Sequence, residues 1–377
     1  MMEQISGPIR MVSTCLLGME GPVASELKAF GAQNVAAQDG RVFFEGDTAM
    51  LARANLCSRF GERILVVLGQ FPARTFDELF EGVKALPWER WLDKKDAFPV
   101  KGHSLHSKLF SVPDCQKIIK KAIVERLRGK YSMSWFEESG ARHQVQFFLL
   151  KDMATLMLDT SGAGLHKRGY RADATEAPIK ETLAAGMAHL AHIRRDGRVF
   201  DPFCGSGTIL IESALYALNI APGLNRRFSA ERWGVIAGRV WREERERALD
   251  SVRHDAAFHA YGSDIDPEAV TLSLANAEKA GVSARISVTQ KRIDDFIADG
   301  ERGSVVCNPP YGERLLDREK AQALYRTMGT VFPRQSDWSY TVISPDPLFE
   351  RCFGRRADRR RKLYNGMIQC QLYLYFR

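Results

Sequence analysis

The chain has 377 residues, 45% hydrophobic and 27% charged, which suits two or three folded domains in water. It has no apolar run of membrane-spanning length and no N-terminal secretion signal, so we expect a cytoplasmic protein. Seven scattered cysteines without a Cys-x-x-Cys pair argue against a disulfide framework and a zinc site, and we expect no metal. The net charge of +8 favours an anionic partner.

Up to about residue 160, short β-branched or aromatic runs alternate with helical stretches. The pattern predicts strands at 41–45, 64–68, 98–101 and 144–152, and helices near 21–30, 47–59, 75–85 and 114–130. Residues 114–130 combine one apolar face with one cationic face, which is typical of a helix that packs on a core and leaves its basic side in water. The turn-rich run 159–164 predicts a domain boundary.

After that run, strands and helices alternate regularly, which predicts a parallel sheet covered by helices on both faces. The predicted strands are 198–201, 259–264, 286–289, 304–307 and 338–344, with helices at 208–217 and 267–280. Near the C-terminus, Asn365-Gly366 separates two runs of alternating apolar residues. Because Asn-Gly tolerates the positive φ of a tight turn, we expect an antiparallel hairpin at the edge of the sheet.

The loop Asp-Pro-Phe-Cys-Gly-Ser-Gly-Thr, residues 201–208, joins the first of these strands to the next helix. Ligands of open parallel sheets bind beyond the carboxyl ends of the strands, and Gly205 and Gly207 allow the backbone to approach such a ligand closely. The loop lacks the lysine of a phosphate loop and the glycine spacing of a dinucleotide-binding fold. Its carboxylate, Asp201, would repel a pyrophosphate but suits a cationic ligand such as a sulfonium amino acid.

The second strand of this domain ends at Asp264, whose carboxylate can accept hydrogen bonds from both hydroxyls of a ribose. Together with the glycine loop, it predicts a site for S-adenosylmethionine, which carries a sulfonium, an amino acid and a ribose. Phe203 and Thr208 of the loop, and Ile265 beside Asp264, complete the contacts predicted at these two strand ends.

A further strand is followed by Asn308-Pro309-Pro310-Tyr311. Two prolines remove two backbone donors and hold the carbonyls in a stiff, extended geometry. If the Asn308 side-chain oxygen and the Pro309 carbonyl each accept one N–H, the exocyclic amine of a nucleobase is held with its lone pair toward the methyl donor. Tyr311 offers a face on which an extruded base can stack. These four residues form the predicted catalytic turn.

With these motifs, the chain resembles the THUMP-containing bacterial RNA methyltransferases related to the N-terminal half of the large-subunit rRNA guanine-N2 methyltransferase. The matching stretches are 101–104 with the helix at 117–121, 165–171, 177–183, 201–208, 221–224 with Trp233 and Trp241, 308–315 and 362–366. The resemblance implies a ferredoxin-like domain at 1–70, a THUMP domain at 71–160 and a methyltransferase domain at 161–377. The implied fold class is α/β, with a Rossmann-like class I methyltransferase sheet, mostly parallel with an antiparallel C-terminal hairpin, and an α+β N-terminal module.

The resemblance also implies formation of N2-methylguanosine, in 23S rRNA before other RNAs, with S-adenosylmethionine as cofactor. Thr182 would touch the amino-acid end of this cofactor. After the third strand, such enzymes usually place an acidic residue against the adenine amine, and here Arg292 occupies the aligned position. Asp294 or Asp295 takes that role in a shifted register, or the backbone alone holds the adenine. We assign the contact to Asp295.

Basic residues at three places along the chain are the predicted RNA contacts. Between residues 351 and 362, five arginines opposed only by Asp358 form either a solvated surface or a phosphate-contacting patch. The predicted contacts are Lys101, Lys108, Lys117, Lys120, Lys121, Arg168, Arg171, Arg355, Arg356, Arg359, Arg360 and Arg361.

Two other functions stay open from the sequence. Adenine-N6 methylation of DNA is one, since Asn-Pro-Pro-Tyr suits both amines, and a catalytically silent RNA-binding or ribosome-assembly factor is the other. The basic N-terminal module favours recognition of RNA by shape, with rRNA ahead of tRNA as the partner. We expect a monomer. In the insertion at 221–254, we expect Trp233 and Trp241 to pack on the core.

Overall fold

The computed structural model describes residues 3–133, 135–171, 179–297, 302–311, 318–332 and 337–376. The chain forms two compact units. The first comprises the described residues up to Cys15, together with Val23–Leu165 and Arg227–Arg247, and the second comprises Leu16–Pro22, His166–Arg226 and the described residues from Ala248 onward. Within these described ranges, no helix is both long and apolar enough to cross a membrane.

The strands of the first unit belong to one sheet. Along the chain, the elements are β1 (Ile9–Cys15), α1 (Glu20–Ala29), β2 (Gln33–Gln38), β3 (Arg41–Gly46), α2 (Thr48–Cys57), β4 (Gly61–Pro72), α3 (Phe76–Lys84), β5 (Val100–Leu105), α4 (Val112–Tyr131), β6 (Gln144–Leu150) and β7 (Met153–Asp159). The first three residues of α1 belong to the second unit. Over the described residues, the sheet has seven strands in the order β2-β3-β1-β4-β7-β6-β5. The long strand β4 pairs antiparallel with both β1 and β7, so it joins the two halves of the sheet.

Helix α4 has the two faces that the sequence predicts. Its buried residues are Cys115, Ile119, Ala122, Ile123 and Leu127. Lys117 and Lys121 are exposed on the other side. Burial of the apolar stripe holds the helix on the sheet and leaves the cations facing water.

The second unit contains the predicted alternation of strands and helices. Its elements are α5 (Glu181–Leu190), β8 (Arg198–Asp201), α6 (Thr208–Ala217), β9 (His259–Asp264), α8 (Pro267–Lys279), β10 (Ile286–Gln290), β11 (Gly303–Cys307), α9 (Arg318–Val331), β12 (Trp338–Ser344), α10 (Phe349–Phe353), β13 (Arg359–Asn365) and β14 (Ile368–Tyr375). Helix α7 (Gly238–Asp250) lies between α6 and β9 in sequence, and most of it belongs to the first unit. Over the described residues, the sheet has seven strands in the order β10-β9-β8-β11-β12-β14-β13.

The first five strands of that order pair in parallel, whereas β14 pairs antiparallel with β12 and β13. This confirms the α/β class and the mostly parallel sheet with an antiparallel C-terminal hairpin. The strand order reverses between β8 and β11, because the chain first builds outward through β9 and β10 and then returns to the other side of β8. Such a reversal opens a crevice beyond the carboxyl ends of the strands, where open α/β sheets bind ligands.

The hairpin of β13 and β14 is confirmed, but its turn differs in detail from the expectation. Asn365 pairs with Ile368 as the last rung of the ladder, so Gly366 and Met367 are the two turn residues. Gly366 adopts the positive φ of 64°. Glycine has no Cβ and takes this conformation at little cost. Because Gly366 provides the positive φ of the turn, Asn365 keeps the extended backbone of the strand.

The segment Arg227–Arg247 packs within the first unit. Trp233 is 1% exposed and stacks on His143, with ring centroids 4.3 Å apart. Its indole N–H donates to the carbonyl of Arg142 at 3.1 Å. Trp241 is also buried and stacks on Phe228. The expectation that both tryptophans pack rather than face solvent is therefore confirmed.

Candidate active site at the carboxyl edge of the second sheet

The loop after β8 is tied to the end of β9 by backbone hydrogen bonds. The N–H of Cys204 donates to the carbonyl of Ser263 at 3.0 Å, and the N–H of Gly205 donates to Asp264 Oδ2 at 2.9 Å. Gly205 and Gly207 have φ values of 51° and 77°, in the region that glycine enters without strain. A Cβ added to Gly205 would meet no described atom within 4 Å, so this side of the loop is open. The structure thus brings the predicted loop and the predicted ribose carboxylate together.

Asp201 lies at the base of this loop with 1% exposure. Its Oδ1 accepts the N–H of Phe203 at 3.1 Å, which also fixes the start of the loop. Burial raises the pKa of this carboxyl to about 8, the Phe203 N–H opposes the shift, and the neighbouring Asp264 adds to it. A buried carboxyl with a raised pKa gains most from a cation placed beside it.

The end of β9 presents one carboxylate and one apolar side chain. Asp264 uses Oδ2 for Gly205 and Oδ1 for the N–H of Asp266, at 3.1 Å. Each carboxylate oxygen can accept a further hydrogen bond, which leaves capacity for two ribose hydroxyls. Ile265 is 59% exposed, a large apolar surface next to this carboxylate. Gln290 donates to the Ile265 carbonyl at 3.1 Å and so ties this turn to β10.

The segment after β10 forms a short 3-10 turn over Ile293–Asp295. Arg292, which stands where an acid was expected, forms an ion pair with Asp294 across 3.3 Å. Asp295 is exposed at the end of this turn. With Asp294 facing the guanidinium, Asp295 is the better placed of the two carboxylates for a ligand, and its role stays a prediction.

Arg171 makes a link to the loop that the sequence did not indicate. Its guanidinium donates to Thr208 Oγ1 and, at 3.2 Å, to the carbonyl of Ile179. It also forms an ion pair with Glu181 at 3.7 Å, and the adjacent Thr182 is 1% exposed in the first turn of α5. The structure thus places the side chain of Arg171 beside the cofactor loop, although it was predicted as an RNA contact.

Arg168 is 3% exposed and lies in the core of the second unit. Its guanidinium faces Glu212 at 3.4 Å, and the Tyr170 hydroxyl donates to the same carboxylate at 3.0 Å. Burying this charge is tolerable because it is paired and hydrogen-bonded. A guanidinium enclosed in this way has no surface for an RNA phosphate, so the structure favours a structural role for Arg168.

The catalytic turn follows β11, the strand beside β8 in the sheet. The hydroxyl of Tyr311 donates to Asn308 Oδ1 at 2.9 Å, so the two polar side chains of the predicted turn contact each other. The hydroxyl of Tyr325 in α9 donates to the Pro310 carbonyl at 3.5 Å. Burial raises the pKa of Tyr311 well above its usual value, which keeps its hydroxyl protonated as a donor. The carbonyl of Pro309, the second predicted acceptor of the amine, belongs to the residue just before the anchored Pro310.

One residue that contacts the catalytic turn from another strand was not predicted as a site residue. Asn365, at the end of β13, donates from Nδ2 to the hydroxyl of Tyr311 at 2.5 Å. Its signal in the sequence was the Asn-Gly pair, which a hairpin turn explained by itself. The contact appears only once β13 lies at its place in the sheet.

The predicted RNA-contacting cations of the first unit lie on β5, on α4 and in the connection between them. Lys101, Lys108, Lys117 and Lys121 are exposed. Lys120 is half-buried, with its ammonium 3.6 Å from the centre of the Phe98 ring and paired with Glu138. The exposed lysines are available to phosphates, whereas Lys120 is largely engaged within the unit.

The C-terminal arginine run lies on and just before β13, the edge strand of the sheet among the described residues. Arg355 lies over Tyr340, with its guanidinium carbon 4.7 Å from the ring centre, and Arg360 is paired with Glu350. Arg361 donates to the carbonyl of Gly18 at 3.4 Å. Arg356 and Arg359 are exposed. Charges along an edge strand also prevent pairing with another chain, so this position alone does not decide for RNA.

Three family models match the chain. Residues 10–65 match the RlmL ferredoxin-like domain, residues 73–159 the THUMP domain, and residues 168–373 the RMKL-like methyltransferase domain. The order of these domains agrees with the resemblance found in the sequence.

Similar proteins cover almost the whole chain. The "Putative RNA methyltransferase YpsC" of Bacillus subtilis is 44% identical over 97% of this chain and 95% of its own length. A crystal structure described as a "predicted N6-adenine-specific DNA methylase" from Listeria monocytogenes is 45% identical, with a TM-score of 0.93 over 98% of this chain and 96% of that one. The structure of "SMU.472, a putative methyltransferase complexed with SAH" is 40% identical, with a TM-score of 0.94 over 99% of both chains. The chain therefore belongs to the RMKL-like methyltransferase family, with an RlmL-type ferredoxin-like domain and a THUMP domain ahead of its methyltransferase domain.

Proposed function

We propose that the protein transfers a methyl group from S-adenosylmethionine to the exocyclic N2 amine of a guanine in 23S rRNA. The observation that carries the proposal is the placement of Asn308 Oδ1, held by Tyr311, at the end of β11. The adjacent strand β8 ends in the loop that begins with the buried Asp201. An amine acceptor site and a cation-binding loop at neighbouring strand ends are what this reaction requires.

The residues at the strand ends fit S-adenosylmethionine. Asp264 has capacity for the ribose hydroxyls, the exposed Ile265 offers an apolar surface to the adenine ring, and Asp295 can accept from the adenine amine. Thr182 is the proposed neighbour of the amino-acid end of the cofactor, because the adjacent Glu181 is connected to the loop through Arg171. The other proposed contacts are Phe203, Gly205, Gly207 and Thr208 of the loop. Support also comes from SMU.472, whose structure contains SAH.

S-adenosylmethionine supplies an electrophilic methyl group on its sulfonium sulfur. The nitrogen lone pair forms the new N–C bond, the S–C electron pair stays on sulfur, and the nitrogen then loses one proton to water. Asn308 Oδ1 and the Pro309 carbonyl accept the two amine hydrogens, which aims the nitrogen lone pair and stabilises the positive charge that grows on it. Asparagine does this without placing a full negative charge against the sulfonium.

RNA is favoured over DNA by the module that precedes the methyltransferase domain. The chain has a THUMP domain, and the B. subtilis relative carries the name of an RNA methyltransferase. Adenine-N6 methylation of DNA is the second candidate, because the Listeria structure is described in those words.

Finer features belong to the same proposal. We propose domain limits of 1–70, 71–160 and 161–377, although Arg227–Arg247 packs within the first unit. We also propose that the protein acts as a monomer in the cytoplasm on rRNA rather than tRNA.

Mass spectrometry of nucleosides tests the proposal. Purified 23S rRNA, 16S rRNA, tRNA and DNA from the wild-type and a deletion strain are digested and compared. We expect the deletion to remove one N2-methylguanosine from 23S rRNA, restored by the wild-type gene and not by Asn308→Ala. Loss of N2-methylguanosine from tRNA instead would identify tRNA as the substrate. Loss of N6-methyladenine from DNA would favour the second candidate, and unchanged nucleoside profiles would favour a catalytically silent RNA-binding factor.

Charge reversal of Arg356 and Arg359 is expected to weaken RNA binding and flatten its dependence on salt. Each phosphate contact contributes about −0.7 to −0.9 to the slope of log K against log salt, so losing two contacts makes the slope less negative by about 1.5. The measurement is a titration of labelled rRNA fragments at several salt concentrations. Arg195→Glu with Lys279→Glu is the control, since both are exposed cations outside the predicted RNA contacts. An unchanged slope in the test variant would remove the arginine run from the RNA interface.

A further inference from the structure

Asn365, Tyr311 and Asn308 form a chain of hydrogen bonds that runs from the hairpin turn into the catalytic turn. The Nδ2 of Asn365 lies 2.5 Å from the Tyr311 hydroxyl, which lies 2.9 Å from Asn308 Oδ1. An amide NH₂ can only donate, so the hydroxyl accepts from Asn365 and gives its single hydrogen to Asn308. Asn365 therefore directs the hydroxyl hydrogen toward Asn308, and Cys370 is a further neighbour of this hydroxyl.

The turn itself does not require the side chain of Asn365. The positive φ of the hairpin falls on Gly366, and Asn365 remains in the ladder opposite Ile368. A different strand residue would complete the same turn. The half-buried side chain instead contacts a residue that is 54 positions away in sequence.

The hydrogen-bond chain decides which edge of the Asn308 amide faces the substrate. An amide has an accepting oxygen and a donating nitrogen, and a flip about its last torsion exchanges them. Only the oxygen can accept from the Tyr311 hydroxyl, so the hydrogen bond disfavours the flipped form, which would offer N–H groups to an amine. Oδ1 keeps a second lone pair for the substrate N–H.

The same contacts also hold the Tyr311 ring. A phenol hydroxyl lies in the plane of its ring, so two hydrogen bonds to it fix the edge and occupy neither face. Burial keeps the pKa of this hydroxyl above its usual value. The hydroxyl therefore stays protonated, and so remains a donor, at neutral pH.

We infer that Asn365 is a positioning residue of the methyl-transfer site, which orients the acceptor oxygen of Asn308 through the hydroxyl of Tyr311. The inference rests on the proposed transfer to an exocyclic amine. It assigns a role in this reaction to the hairpin that closes the sheet, in addition to its role in the fold.

The test compares single-turnover methyl transfer by purified full-length variants, using labelled S-adenosylmethionine and rRNA from a deletion strain. Asn365→Ala is expected to lower the rate about tenfold, which is one hydrogen bond's worth of transition-state positioning. The KM values for S-adenosylmethionine and RNA should stay within about twofold. Gln369→Ala, an exposed position of the same hairpin, is the matched control and should keep the wild-type rate and melting temperature.

Two further variants separate positioning from a general loss of structure. Asn365→Asp has the same shape, but its carboxylate accepts the Tyr311 hydrogen and takes it from Asn308, so its rate should be at or below that of Asn365→Ala. Tyr311→Phe breaks the chain at its centre. Adding Asn365→Ala to it should cost no more than about twofold, because Asn365 acts only through that hydroxyl.

The outcomes are distinct. A wild-type rate in Asn365→Ala, or full additivity with Tyr311→Phe, overturns the role of Asn365 and leaves the proposed function standing. A wild-type protein that methylates adenine instead of guanine overturns the proposed base, while the comparison of variants still decides the role of Asn365. A wild-type protein that transfers no methyl group to rRNA, tRNA or DNA overturns both.

Discussion

Asn308→Ala is expected to lower the rate of methyl transfer by about 10²- to 10³-fold, the range found when one preorganised polar group is removed from a reacting centre. Alanine has no acceptor for the amine N–H, so the nitrogen lone pair is no longer aimed at the methyl group. Binding of S-adenosylmethionine should change by less than about threefold, because the proposed cofactor contacts lie at the ends of β8, β9 and β10. Single-turnover transfer and calorimetric titration of the cofactor measure the two effects separately.

Asn308→Asp is the informative companion to this variant. It keeps an acceptor oxygen of the same size, and Tyr311 can still donate to it, so its loss should be smaller than that of the alanine variant. An alanine variant that retains more than a tenth of the wild-type rate would contradict the role of Asn308 as the amine acceptor. Equal losses in both variants would show that an acceptor oxygen at this position is not sufficient and that the neutral amide is required.

Asp201→Asn is expected to weaken cofactor binding by tenfold or more while removing a pH-dependent penalty on folding. In the unfolded chain this carboxyl has its ordinary pKa of 3.8, and in the folded protein burial raises the pKa to about 8. The stability associated with the protonated carboxyl is fully present below about pH 4 and is lost as the pH rises through about 8. Asparagine cannot ionise and so lacks this loss.

The measurement is urea unfolding of both proteins between pH 4 and pH 8. We expect the free energy of unfolding of the wild type to fall by about 2 kcal/mol more than that of the variant over this range, a discounted value for a shift worth 1.36 kcal/mol per pKa unit. Parallel curves would contradict the raised pKa of Asp201. The difference between the two curves is informative even if the asparagine changes the packing at every pH.

A cation beside Asp201 favours its ionised form, so cofactor affinity of the wild type should increase with pH up to about 8. Asp201→Asn should lack this part of the pH dependence. Asp201 thus has opposite roles in folding and binding, since its burial costs stability that a cationic ligand restores.

The elements that position the site could be predicted from the sequence. Strands β8, β9 and β12 and helix α6 begin and end at the predicted residues, because short apolar runs bounded by Asp, Gly and Pro are typical of buried parallel strands. The two motifs follow directly from these strand ends. Helix α7 was not predicted, since its sequence is dominated by Arg and Glu and its pattern resembles a polar insertion.

Charge in the sequence was a weaker guide than apolar pattern. The arginine run at 355–361 was one feature in the sequence, but in the structure Arg355 packs on aromatic rings while Arg356 is exposed. Arg168 is enclosed by Glu212 and Tyr170. A count of cations gives the sign of a possible partner, and only burial tells which cations can reach it.

The sequence alone determined the α/β class, the order of the strands of the second sheet along the chain, the glycine loop and the Asn308 turn, because these depend on neighbours within a few residues. The tertiary structure alone decided which distant residues meet. The link from Arg171 to Thr208 spans 37 positions and that from Asn365 to Tyr311 spans 54. Such pairs depend on sheet order and strand register, which are set by the packing of the whole domain.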